Sequence, residues 1–131
     1  MYRIFISHSW SYSEAYDKIE SFLRQEGILF YNHSVPKHDP IHTNGTDEEL
    51  SNAIENKIKG CSCIIILAGV YSTYSKWINK EIEIAQKYKK PIIAVCPWGA
   101  ERISSIVKNS ATTIVKWNAK SVANAVINYS L

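Results

Sequence analysis

The sequence predicts a three-layer α/β domain, a flavodoxin-like five-stranded parallel sheet in the order 2-1-3-4-5 with helices on both faces. Two observations carry this. Short apolar runs alternate with helical hydrophobic stripes along the whole chain. The central run "CSCIIILA" (61–68) is apolar on both faces, as a parallel strand covered from each side must be. At 131 residues the chain is expected to form one domain spanning 1–131.

Taken in order, "YRIFIS" (2–7) reads as the first strand and ends in the polar stretch "SHSWSYS". Ala15, Ile19, Phe22 and Leu23 form a helical stripe that stops at Gly27, a suitable C-terminal cap. "ILFY" (28–31) is a second short strand, followed by the irregular stretch 32–45. Thr46 to Glu49 is a capping box that opens a helix with Leu50, Ala53, Ile54 and Ile58 on its stripe, ended by Gly60. After the third strand and the loop "GVYSTYS", Ser75 is placed to cap the next helix. "PIIAV" (91–95) is the fourth strand, with Pro91 where no ladder donor is needed. A short helix near Glu101–Lys108 and the strand "TTIVKW" (112–117) follow. The last helix starts near Asn118, with Val122, Ala125, Val126 and Tyr129 expected to face inward.

Composition narrows the function. A net charge of +3, with no basic run beyond "KYKK", argues against a nucleic-acid partner. The longest apolar run, Cys63 to Val70, is far too short to cross a membrane. "MYRIFISHSW" lacks the h-region of a signal peptide, and three cysteines is an odd number, so a cytoplasmic chain with reduced core thiols is expected. His33, His38 and His42 fit no standard zinc spacing, and no metal site or bound cofactor is expected. Asp39, in "HDP", suits a turn, and Trp98 suits either a lid or the edge of the core. Phospho-receiver, P-loop, dinucleotide-fingerprint and nucleophile-elbow patterns are all missing, while "SHSWSYS" faintly imitates the hydroxyl-rich phosphate loop of an FMN protein, a third option.

One helix breaks the pattern. In "SKWINKEIEIAQKY" (75–88), Trp77, Ile78, Ile82, Ile84, Ala85 and Tyr88 lie within roughly 100° of Glu81, while Glu83 falls on the opposite, polar side. A carboxylate amid an apolar stripe needs a partner or a task. In sheets of this order, ligands bind beyond the carboxyl ends of strands one and three. "SHSWSYS" and "GVYSTYS" border that crevice, and a helical side chain leans toward its own N-terminus, which brings Glu81 to the crevice. The bland alternatives are an ion pair between Glu81 and Arg3 or a lysine, and a helix-capping role for Ser7 and Ser9.

The stretches "YRIFISHSWSYSEAYDKIESFLRQEGI" and "AIENKIKGCSCIIILAGVYSTYSKWINKEIEIAQKYKKPIIAV" resemble the TIR domain, and more closely the bacterial TIR-like proteins of the Thoeris antiphage system. The likeness covers roughly residues 2–96. It rests on "FISHS", on I-I-L-x-x-x-Y, on S-x-W-x-x-x-E-I and on the K-P-I-I strand. The resemblance implies an enzyme that cleaves NAD, with Glu81 catalytic and NAD as substrate rather than cofactor. It places substrate-binding positions at Phe5, Ser7, His8, Ser9, Asp39, Tyr71 and Trp77. It further implies a cyclic ADP-ribose-type messenger acting on a separate effector in antiviral defence, a phage-derived trigger, and self-association. The alternative within the same family is a non-catalytic interaction module.

Overall fold

A computed structural model describes residues 1–7, 14–33, 47–67, 75–96 and 105–131. Five strands, β1 (Tyr2–Ile6), β2 (Phe30–Asn32), β3 (Cys63–Leu67), β4 (Ile92–Cys96) and β5 (Thr113–Lys116), form one sheet in the order β2-β1-β3-β4-β5. Every pairing is parallel, with Tyr2 opposite Phe30, Ile4 opposite Cys63, Ile64 opposite Ile92, and Ile93 opposite Thr113. The helices are α1 (Glu14–Gln25), α2 (Asp47–Lys59), α3 (Ser75–Lys87), α4 (Ser105–Ser110) and α5 (Ala119–Tyr129).

Two apolar layers sandwich the sheet, and strand alternation decides which residue enters which layer. Ile4 and Ile6 join Ile65 and Val95 under α1 and α5. Phe5 joins Ile64, Ile66 and Ala94 under α2, α3 and α4. β3 and β4 therefore bury both faces, which explains their unbroken runs of Ile, Ala and Val.

Several expected boundaries move for local reasons. Gly27, at φ 71°, closes α1 in a Schellman motif, with Ile28 N–H donating to the Leu23 carbonyl and Gly27 N–H to that of Arg24. That motif consumes Ile28, so β2 starts at Phe30 rather than at residue 28. Likewise Cys61 N–H bonds to the Ile58 carbonyl, and β3 begins only at Cys63. α3 starts at Ser75 itself, the residue expected to cap it. Asn118 caps α5 by accepting from Ser121 N–H. Tyr129, expected to face inward, stays 43% exposed. It is the last residue of α5, where the chain leaves the helix through an extended Ser130. The capping box at Thr46 lies outside the described residues. No helix among the described residues is long and apolar enough to cross a membrane.

Candidate active site

Only two polar or charged side chains among the described residues are buried, Ser7 and Glu81, and they meet. The Ser7 hydroxyl donates a 2.6 Å hydrogen bond to Glu81 Oε1, across 74 residues of sequence. Each arrives there for a separate reason. Ser7 is the residue just past β1, where its N–H bonds to the Ile65 carbonyl at 2.9 Å and extends the β1–β3 ladder. Two residues beyond Phe5, it points to the same face, toward α3. Glu81 sits about 9 Å into α3, between Ile78 and Ile82, which are 6% and 1% exposed. Glu83, one residue past Ile82, is exposed.

The contact therefore lies just past the carboxyl end of β1 and level with Ile66 near that of β3, at the end of the sheet where strand order reverses and open α/β sheets place their ligands. The Arg3 ion pair considered for Glu81 does not form. Arg3 is exposed and precedes Ser7 by four residues, about 13 Å along the strand at the far end of the sheet. The Ser7 bond is short, as hydrogen bonds to a carboxylate are.

Phe5, expected on the substrate-pocket wall, is fully buried in the layer beneath α3, next to this contact in sequence. Trp77 lies on the first turn of α3, with its side chain outside what is described. His8, Ser9, Asp39 and Tyr71, with His38, His42 and Trp98, lie outside the described residues. His33 packs on Gly60, where an added methyl would come within 2.8 Å of its Nε2. Burial, and then the charges of Lys57 and Arg3, hold its imidazole below the ordinary value of 6.5. The described residues contain no group of His, Cys, Asp and Glu able to hold a metal ion. Burial pushes the Cys61 thiol up to about 12 and that of Cys63 to about 11, which suits inert core residues rather than nucleophiles.

The role of Ser7 was only half legible. Alternation places Arg3, Phe5 and Ser7 on one face, and periodicity turns Glu81 inward. Their meeting, however, depends on the spacing of β1, β3 and α3, which no local pattern encodes.

The model of the Thoeris protein ThsB, TIR-like domain, matches residues 5–102, which include the end of β1, Ser7 and all of α3. The chain belongs to the Thoeris ThsB TIR-like family. Among solved structures, this ThsB-like chain is similar to the Clostridium botulinum CMP N-glycosidase BcmB, at 14% identity and a TM-score of 0.56. That likeness covers 97% of this chain and 99% of the other, and at this identity it speaks to the fold. No curated protein sequence matches the chain.

Proposed function

We propose that this ThsB-like domain cleaves the nicotinamide–ribose bond of NAD, with Glu81 as the reacting carboxylate. The observation that carries the reading is a carboxylate, fully buried and hydrogen-bonded to Ser7, at the switch point of the sheet. Burying a carboxylate is costly and the Ser7 hydroxyl offsets only part of that cost, so its retention points to a task. Family membership and a fold shared with a nucleotide N-glycosidase support the same bond class.

The chemistry suits one carboxylate. As the C1′–N bond breaks, its electron pair moves onto the pyridinium nitrogen, so nicotinamide leaves neutral without a strong acid. Positive charge develops on the ribose in an oxocarbenium-like state. A fixed anion in a low-dielectric site stabilises that charge more than water would. Water capture then gives ADP-ribose. Capture by another atom of the same molecule, held near by the pocket, gives a cyclic isomer, which we favour as a messenger to a separate effector.

The test is incubation with NAD, and in parallel with CMP, both alone and in lysate from phage-infected cells, followed by chromatography. Nicotinamide release with a cyclic or linear ADP-ribose product is expected. Cytosine release from CMP alone would move the substrate to nucleoside monophosphates. Release from neither, under either condition, would leave the interaction module as the better reading.

A further inference from the structure

We propose that Ser7 is a positioning residue, which fixes the Glu81 carboxylate for reaction rather than contacting substrate itself. This rests on the reading of Glu81 as the reacting group. The terminal torsion of a glutamate is broad, so a carboxylate on a helix is free to swivel. A donor on a mobile loop would leave much of that freedom, whereas Ser7 is held on both sides. Its N–H is locked to Ile65 at 2.9 Å, its residue is fully buried, and β1 lies between β2 and β3. The hydroxyl carries one proton, and that proton goes to Oε1 at 2.6 Å. This holds one carboxylate oxygen from a buried position at the end of a central strand. It also supplies a charge-assisted bond, which compensates part of the cost of burying the anion.

A merely structural Ser7 would matter only for shape, and three substitutions separate the two roles. Thr keeps the hydroxyl, Val copies the shape of Thr without it, and Ala removes it with the least disturbance. Ser7→Ala and Ser7→Val are expected to lower kcat about 10- to 100-fold with KM little changed. Ser7→Thr should stay within a few-fold of the parent. A parent-like kcat for Ser7→Ala, or equal losses for Thr and Val, would overturn the proposal. If the branched variants melt early, the alanine variant decides alone.

A readout independent of turnover is the carboxyl carbon resonance of Glu81 in protein carrying ¹³C-glutamate. It should move in Ser7→Ala and hold in Ser7→Thr, and an unmoved resonance in Ser7→Ala overturns the inference. If the parent consumes no nucleotide while that resonance does move, the proposed function fails and the hold of Ser7 on Glu81 stands.

Discussion

Exchanging one oxygen of Glu81 for an amide keeps its volume and leaves an oxygen to accept from Ser7, but removes the negative charge. Glu81→Gln is therefore expected to cut NAD turnover at least 100- to 1000-fold, the scale of losing a charge-stabilising group in an active site. Its melting temperature should hold or rise by about 3–5 °C, because a buried carboxylate costs desolvation that a neutral amide avoids. Glu83→Gln, on the exposed side of the same helix, should leave both within error. Chromatography of products and thermal melting check the pair. A Glu81→Gln protein that melts well below its parent would make the carboxylate structural. The sequence distinguishes these two glutamates by periodicity alone, since two residue steps on a helix turn a side chain by about 200°. It does not name the partner of Glu81, because Ser7 is 74 residues away and only the assembled sheet brings them together.

At the scale of the element, two helices end in the same way with different residues. α1 closes on Gly27 at φ 71°, and α3 closes with Lys89 at φ 55°. In the second, Lys90 N–H bonds to the Ala85 carbonyl at 2.8 Å and Lys89 N–H to that of Gln86 at 3.1 Å. The hydrogen bonds match, but only glycine adopts this left-handed conformation without a steric penalty. Lys89→Gly should therefore stabilise the protein by about 1 kcal/mol, and Gly27→Ala should destabilise it by a similar amount. Urea denaturation midpoints test both, and a lower midpoint for Lys89→Gly would contradict the argument. Gly27 announces its cap in the sequence, whereas "KYKKP" conceals one. A lysine is an ordinary last-turn residue, and only the observed dihedral reveals the strain. The boundaries of β2 and β3 shift for the same reason, because capping hydrogen bonds consume Ile28 and Cys61, whose apolar character had read as strand.

For the molecule as a whole, the strand order is the common one for five parallel strands alternating with helices, an expectation that needs only the alternation of strand and helix patterns. The loops that would complete the site carry no such periodicity, so their chemistry was read from residue types and family likeness. Whole-molecule behaviour also includes a pH response. The His33 ring is held below 6.5 by burial and then by the charges of Lys57 and Arg3. Folding thus favours the neutral imidazole, and as pH falls the unfolded chain takes up this proton first. The contribution of His33 is fully present above pH 6.5 and is lost as pH drops below 6.5 toward the lowered folded-state value. The ring packs on Gly60, just past α2, and the backbone N–H of His33 donates to the Ile4 carbonyl. A glutamine there should keep the backbone bond and lose the titration. Urea unfolding at pH 7.5 and at pH 5.5 should show the parent losing stability at the lower pH, with a smaller loss in His33→Gln. An equal loss in the two proteins would place the acid sensitivity on other groups. Because Ser7, just past β1, bonds Glu81 on α3 while the His33 ring packs on Gly60, the His33→Gln protein should keep the parent's nucleotide turnover at pH 7.5.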